Sequence, residues 1–133
     1  MHRATRMEVN LANVQANFLA IRRHVGPGPE IFGVIKADAY GHGVHQVCKS
    51  LSEAGCRRFA VAIPDEAFEL RESGVTAPIL VLGPTPARSA AEYVRQGVTA
   101  TITDLSFARV LSGEAVRQGR KMPVHVKVDT GMS

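Results

Sequence analysis

The chain reads VIKADAYGHG over residues 34–43, where an apolar segment runs directly into a lysine and then into a glycine-rich turn. The segment over residues 31–35 favours β structure and predicts a buried strand. Lysine is rarely buried unless its amine is paired or used. At the end of such a strand Lys36 is placed for chemistry, because desolvation favours the neutral, nucleophilic amine that forms Schiff bases. A surface lysine after an edge strand is the alternative interpretation.

A strand followed by a helix recurs along the rest of the chain. Further apolar, β-favouring runs predict strands over residues 59–62, 78–82, 98–102 and 124–128. After the first strand, apolar residues recur at helical spacing, at Val44, Val47, Cys48 and Leu51. Glycine, which accepts the left-handed conformation of a helix C-cap, falls where helices should end, at Gly55, Gly74, Gly97 and Gly119. The repeat predicts a parallel α/β sheet.

Residues that open helices agree with this repeat. Helices are expected over residues 87–94 and around 107–111. Pro64 and Pro86 suit a first helical turn, and Asp104 suits an N-cap. Asp65 and Glu66 follow Pro64 directly, and an interaction of these carboxylates with the helix dipole is favoured over an acid/base pair.

Two architectures surround parallel strands with helices, the open doubly wound sheet and the closed barrel. A doubly wound sheet often carries a glycine-rich dinucleotide fingerprint after its first strand, and residues 40–43, YGHG, do not match it. Polar residues such as Asp38, Asp65 and Asp104 follow the predicted strands, which suits an active site at the carboxyl ends in either architecture. The residues alone favour a barrel without excluding an open sheet.

Composition narrows the class of partner. The chain has 133 residues, five Phe, two Tyr and no Trp, with a formal net charge of +4. Its basic residues are scattered in pairs such as Arg22-Arg23, and an aromatic stacking platform is lacking, so nucleic-acid binding is disfavoured. No apolar run approaches the length of a membrane span, and the N-terminus lacks a signal-peptide core. We expect a cytoplasmic domain without a membrane partner.

Cysteines and histidines have simpler interpretations than metal binding. Cys48 and Cys56 match no common zinc spacing, and Cys48 on an apolar helix face suits a small buried hydrophobe. His42 and His45 near Asp38 are a candidate metal cluster, but no fourth ligand is evident. A solvated helix N-terminus is the favoured interpretation of this histidine pair.

The fifth predicted strand carries a second group of ionisable residues. Alternation places the valines of residues 124–128 on one face, and His125, Lys127 and Asp129 on the other. If the valines pack against outer helices, the three ionisable side chains point into a barrel. A solvent-facing edge strand and a structural charge network around Lys127 are the alternatives. A metal site is disfavoured, because lysine is a poor ligand and no second histidine is fixed nearby.

The segments around Lys36 and Lys127, VIKADAYGHG and VKVDTGM, resemble alanine racemases, and the resemblance covers essentially the whole chain. It implies an α/β fold of the (β/α)8 TIM-barrel type that is incomplete here, with about five of the eight strands. Residues 1–133 would be a partial N-terminal barrel domain, about the first third of a typical family member. The C-terminal β-domain would be absent. Ser133 stands where the family usually has glycine.

The resemblance also implies the site residues. The cofactor would be pyridoxal 5′-phosphate (PLP), attached to Lys36, which would also be catalytic. Tyr40 resembles the tyrosine that binds the cofactor phosphate, and Leu82 matches a residue that lines the cofactor. Lys127 matches a lysine that is frequently carbamylated. Tyr93, the other tyrosine of the chain, is expected only to pack on a helix. No metal ligand is implied.

The implied activity is that of an isomerase that interconverts L-alanine and D-alanine and supplies D-alanine for peptidoglycan. Family members are homodimers, and a tyrosine from the C-terminal domain of the other subunit serves as the second base. The chain alone is therefore expected to be inactive or poorly active. A racemase for serine or a broader range of amino acids is one alternative. A non-catalytic PLP-carrying barrel is another, although it would lack the Lys127 motif.

Overall fold

The computed structural model describes residues 6–131, so the departure at Ser133 lies outside the described residues. Within this range the strands are Phe32–Val34 (β1), Arg58–Val61 (β2), Ile79–Val81 (β3), Ala100–Ile102 (β4) and Val124–Val126 (β5). The helices are Leu11–Val25 (α1), Val44–Glu53 (α2), Pro64–Glu72 (α3), Ala90–Gln96 (α4) and Leu105–Arg117 (α5). A left-handed turn, Lys36–Gly41, follows β1, and a 3-10 turn, Ala87–Ser89, precedes α4.

The strands pair in chain order and all in parallel. β2 lies between β1 and β3 in a three-stranded sheet, and β4 pairs with β5 in a second sheet. The two sheets join where Thr99 lies beside Leu80. There the Val81 N–H donates to the Thr99 carbonyl at 3.0 Å, and the Thr99 N–H donates to the Ile79 carbonyl at 2.9 Å. A doubly wound sheet reverses its strand order, whereas a barrel does not. The incomplete barrel is confirmed, and the open-sheet alternative is wrong.

Local capping explains where the helices begin. The Asn10 side chain accepts two N–H groups in the first turn of α1. The Asp104 carboxylate accepts the Phe107 N–H at 2.9 Å at the start of α5, so the predicted N-cap is confirmed. α3 begins at Pro64, also as predicted. The helix predicted over residues 87–94 starts as a 3-10 turn and becomes α-helical only at Ala90, a common arrangement at helix N-termini. None of the helices in residues 6–131 is long and apolar enough to span a membrane.

Four of the five strands are shorter than the sequence predicts, and for β4 and β5 the neighbouring residues explain why. β4 ends at Ile102, whose carbonyl accepts the Lys127 N–H at 2.9 Å, so β5 has no further ladder partner on this side. β4 begins at Ala100 and not at Val98, because the Val98 N–H donates to the Tyr93 carbonyl at 3.0 Å where α4 ends. These bonds move the strand ends without changing the order of the elements.

The apolar core lies between the sheet and the surrounding helices. Phe59 and Val81 of the strands and Tyr93 of α4 are completely buried in one cluster. Cys48 belongs to the same core, as predicted, and burial raises the pKa of its thiol to about 11, so the thiol stays protonated at neutral pH. Val34, which alternation places on the opposite face of β1, is exposed. Val34 is therefore accessible on the barrel-interior side of the sheet.

The turn after β1 has an unusual backbone. Ala37, Asp38, Ala39 and Tyr40 have φ between 51° and 55° and ψ between 37° and 54°. In this left-handed region the Cβ of an L-residue crowds the following carbonyl oxygen, at a cost of about 1–2 kcal/mol per residue. The sequence predicts a glycine-rich turn here, yet the first glycine, Gly41, comes only after the left-handed run.

Replacing Ala37 with glycine is expected to stabilise the fold. Ala37 is exposed, so little packing is lost, and glycine adopts a positive φ without crowding. The relief of about 1–2 kcal/mol exceeds the about 0.4–1 kcal/mol that the freedom of glycine adds to the unfolded chain. We expect Ala37→Gly to raise the free energy of unfolding by about 0.5–1 kcal/mol in urea denaturation of the 133-residue chain.

Ala16→Gly is the matched control for this measurement. Ala16 is exposed within α1, where glycine is expected to lower the free energy of unfolding by about 1 kcal/mol. The two substitutions remove the same methyl group and are expected to act in opposite directions. An Ala37→Gly variant that loses as much stability as Ala16→Gly contradicts the left-handed turn.

Candidate active site

The carboxyl end of β1 presents the lysine that the sequence singles out. Lys36 is half-buried at the first position of the left-handed turn, and its Nζ lies 5.8 Å from the centre of the Tyr40 ring. A cation at this distance is attracted by the negative face of an aromatic ring. Tyr40 is 59% exposed, so a ligand can reach it. The structure thus brings together two of the residues that the sequence nominates for the site.

Leu82 lies directly after β3, two strands away from Lys36 in the same sheet, and is 37% exposed. Its N–H donates to the Val61 carbonyl at 2.9 Å, which extends the ladder past the end of β3. The next residue, Gly83, runs so close to β2 that a Cβ there would lie 2.6 Å from the Ala62 carbonyl oxygen, so only glycine fits. Leu82 and Lys36 therefore share the carboxyl edge of the sheet, where barrel active sites lie.

The Glu66 carboxylate connects the ends of β1 and β2. Its Oε1 accepts the Ala37 N–H at 2.6 Å, and its Oε2 accepts the N–H groups of Ala62 at 2.7 Å and Ile63 at 3.1 Å. Glu66 occupies the first turn of α3, as the sequence predicts. Its bond to Ala37 is missed by sequence reasoning, because no local pattern reports a contact across 29 residues.

Asp38 closes the other end of the left-handed turn. Its Oδ1 accepts the N–H of Val44, the first residue of α2, at 2.7 Å, and its carbonyl accepts the Gly43 N–H at 3.0 Å. These bonds lead the chain out of the left-handed conformation and into a right-handed helix. The Asp38 carboxylate therefore serves the backbone of the turn.

The two histidines considered as metal ligands contact other protein groups. His42 Nδ1 lies 2.8 Å from the Ala39 carbonyl oxygen, and His45 Nε2 lies 3.3 Å from Glu69 Oε1 of α3. Across the part of the chain that the structure describes, no group of three or more His, Cys, Asp or Glu side chains is arranged to hold a metal ion. The contacts give both rings a structural explanation.

β5 contributes to the barrel interior opposite β1. The His125 ring packs edge-on against Phe32 of β1, with ring centres 6.0 Å apart and planes at 82°. Val124, in contrast, lines a groove together with Leu111 of α5. The valine face is therefore turned towards the helices, and alternation places Lys127 on the interior face with His125.

The three ionisable residues predicted to share one face, His125, Lys127 and Asp129, do not all lie together. Lys127 is exposed, and its backbone N–H makes the last ladder bond to β4. Asp129 lies in the following turn, where its Oδ1 accepts the Gly131 N–H at 2.9 Å. His125 and Lys127 thus share the interior face, whereas Asp129 shapes the turn beyond the strand.

Tyr93 anchors the loop after β3 from beneath. Its hydroxyl lies 2.6 Å from the Thr85 hydroxyl, and both side chains are buried. The Tyr93 ring packs edge-on against Phe68 and Phe107. Burial raises the pKa of Tyr93 to about 12, so the phenol stays protonated at neutral pH. Tyr93 packs in the core as predicted, while its bond to Thr85 is not evident from the sequence.

Known proteins match this chain in sequence. The model of the family described as "Alanine racemase, N-terminal domain" matches residues 9–133. Alanine racemase 2 of Caldanaerobacter subterraneus subsp. tengcongensis is 49% identical over 130 residues, which cover 98% of this chain and 34% of that protein. The alanine racemase of Clostridium perfringens is 43% identical over 125 residues, which cover 94% of this chain and 32% of that protein.

Solved structures match the fold as well. The alanine racemase of Clostridium difficile 630 aligns with a TM-score of 0.85 at 39% identity, over 93% of this chain and 32% of that one. The histidine racemase of Leuconostoc mesenteroides subsp. sake aligns with a TM-score of 0.83 at 28% identity, over 92% of this chain and 33% of that one. The chain spans about a third of the length of the curated relatives it matches. Because the family model and these relatives match nearly its whole length, the chain belongs to the alanine racemase N-terminal domain family.

Proposed function

We propose that this chain is the cofactor-attaching part of a PLP-dependent amino-acid racemase that interconverts L-alanine and D-alanine. One observation carries the proposal. The amine of Lys36 stands beside the Tyr40 ring at the carboxyl end of the first barrel strand, in a chain of the alanine racemase family. D-alanine made by such an isomerase would supply peptidoglycan synthesis, and the enzyme would act in the cytoplasm without nucleic-acid or membrane partners.

The residues at this edge of the sheet fit PLP. Lys36 offers a primary amine that is only half-buried, which is the group needed to attach a cofactor aldehyde. The Tyr40 hydroxyl would donate a hydrogen bond to the cofactor phosphate, and the exposed side chain of Leu82 would pack against the cofactor ring. When bound, PLP acts as an electron sink that stabilises negative charge at the substrate Cα.

Lys36 would also move a proton. With cofactor and substrate bound, the Lys36 amine would accept or donate the Cα proton on one face of the substrate. Racemisation needs a second proton-transfer group on the opposite face. Tyr93 cannot supply it, because its hydroxyl is buried against Thr85. The family resemblance supports a tyrosine from the C-terminal domain of a second subunit, and hence a homodimer.

Lys127 would support the site indirectly. Its side chain is exposed just after β5, and alternation places it on the barrel-interior face together with His125. Carbamylation would convert the ammonium cation into an anion that can bind a basic side chain. The resemblance to family members with a carbamylated lysine supports this role.

Substrate choice has a second candidate. The histidine racemase structure shares the fold of this chain at 28% identity, which supports a racemase for another amino acid, such as serine, as the alternative. A non-catalytic PLP-carrying barrel is less well supported, because the Lys127 segment lies within the family match. Alanine is favoured by the relatives named alanine racemase at 49% and 43% identity.

PLP is expected to attach to Lys36 of the 133-residue chain. Borohydride reduction of the chain incubated with PLP, followed by peptide mapping, should locate the adduct on Lys36. Lys36→Ala should lower the adduct yield at least about tenfold, because the attaching amine is removed. Lys49→Ala is the control, since Lys49 is an exposed lysine of α2. An adduct spread equally over the lysines contradicts the proposal.

Racemisation is expected when the chain is joined to the remainder of a racemase. A chimera would replace the matching 130 residues of the Caldanaerobacter subterraneus alanine racemase 2 with this chain. We expect alanine racemisation that falls at least about 100-fold in Lys36→Ala, because a proton-transfer group is lost. We expect no comparable activity from the 133-residue chain alone.

Three substrates separate the candidates in the same chimera. Circular dichroism would follow L-alanine, L-serine and L-histidine side by side. A preference for serine or histidine over alanine contradicts the alanine assignment. A folded chimera that binds PLP at Lys36 but racemises none of the three supports the non-catalytic alternative.

A further inference from the structure

We propose that Glu66 is a positioning residue that fixes the orientation of Lys36 by holding the left-handed turn with both oxygens of its carboxylate. The inference rests on the proposed function of Lys36 as the attachment residue and names a residue that would control it. Glu66 touches neither the Lys36 amine nor the Tyr40 ring in the bonds described above. It would act through the backbone alone.

Glu66 contacts the peptide unit between Lys36 and Ala37. The Ala37 N–H belongs to this unit, and it donates to Glu66 Oε1 at 2.6 Å. A bond to this N–H fixes the plane of the peptide, and therefore the backbone rotation between the Lys36 Cα and its carbonyl carbon. That rotation sets the orientation of the Lys36 side chain relative to the left-handed turn and its Tyr40 ring.

Glu66 also links the turn to the end of β2. Its Oε2 accepts two N–H groups, those of Ala62 and Ile63, directly after β2. β2 is itself fixed to β1, because the Ile35 N–H donates to the Ala60 carbonyl at 2.9 Å. The carboxylate therefore closes a short loop of hydrogen bonds around the point where β1 becomes the turn.

The turn needs an external partner. The Ala39 N–H donates to the Ile35 carbonyl at 3.0 Å, which is a bond within the turn. The Ala37 N–H lies too early in the turn for such a bond, as the first N–H groups of any helical segment do. A charged acceptor forms a stronger bond than a neutral one, and this helps to hold a backbone conformation that L-residues disfavour.

Glu66→Gln tests the need for two accepting oxygens. Both carboxylate oxygens accept N–H groups, whereas a glutamine side chain has one oxygen and one amino group that only donates. In whichever orientation the glutamine lies, its amino group would face a backbone N–H. Glu66→Gln must therefore lose the hydrogen bonds either to the turn or to the end of β2. The shape and size of the side chain are preserved.

Asp65→Asn is the matched control. Asp65 is exposed on the same first turn of α3, and it interacts with the same helix dipole. If the dipole were the whole role of these acids, Asp65→Asn and Glu66→Gln would have similar effects. If Glu66 holds the turn, only Glu66→Gln should disturb Lys36.

The experiment uses the 133-residue chain with PLP as the probe. The apparent affinity for PLP would be measured by absorbance, with the adduct mapped after borohydride reduction, and amide hydrogen exchange would be followed at Ala37. Circular dichroism melting would set an assay temperature at which every variant is fully folded. We expect Glu66→Gln to weaken PLP attachment at Lys36, and to accelerate exchange at Ala37, by about 10-fold to 100-fold each. We expect Asp65→Asn to stay within about twofold of the unaltered chain in both.

Several outcomes overturn the inference. The inference is wrong if Glu66→Gln matches the unaltered chain both in PLP attachment at Lys36 and in amide exchange at Ala37. It is also wrong if Asp65→Asn changes these two quantities as much as Glu66→Gln does. If Glu66→Gln does not fold, Glu66→Asp replaces it, since aspartate keeps the charge but is too short to reach both backbone segments. Glu66→Asp with unaltered attachment and exchange then overturns the inference. A chain that attaches no PLP at Lys36 even without substitution contradicts the proposed function, whereas exchange at Ala37 still tests the role of Glu66.

Discussion

The left-handed turn between β1 and α2 is the constraint on which the rest of the site depends. Its residues are all non-glycine until Gly41, so the surrounding structure must stabilise a conformation that L-residues disfavour. Ala39 is buried in the core. The Glu66 carboxylate accepts the Ala37 N–H at the start of the turn, and the Asp38 carboxylate accepts the N–H of Val44, just after the turn. Backbone strain of this kind is typically retained where a functional group must be held in one orientation. Under the proposed function, that group is the amine of Lys36.

The parallel order of the strands determines what the turn can face. Because β1, β2 and β3 are adjacent, Lys36 and Leu82 end at one edge of the sheet, and the close approach at Gly83 draws β2 and β3 together there. The apolar core lies on the helix side, where Phe59 is buried, and the residues of the proposed site lie on the interior side.

The sequence predicts the elements of this fold better than their junctions. Apolar runs and helix-capping residues such as Asp104 act locally, and the strands and helices they predict are present. The left-handed run is not predictable in this way, because alanine has no local preference for positive φ. The bond between Glu66 and Ala37 joins residues 29 positions apart, and only the tertiary fold creates it. Likewise, the end of β5 depends on the length of β4, and the choice between barrel and open sheet depends on strand order.

A crystal structure of the chain with PLP would show directly whether the left-handed turn holds Lys36 for cofactor attachment. We expect electron density that continues from Lys36 Nζ into the cofactor, beside the Tyr40 ring. We also expect that Ala37 to Tyr40 keep their left-handed φ values in that structure. Cofactor density on Lys49 or Lys127 would contradict the role proposed for Lys36, and a right-handed turn after Lys36 would contradict the role proposed for the turn.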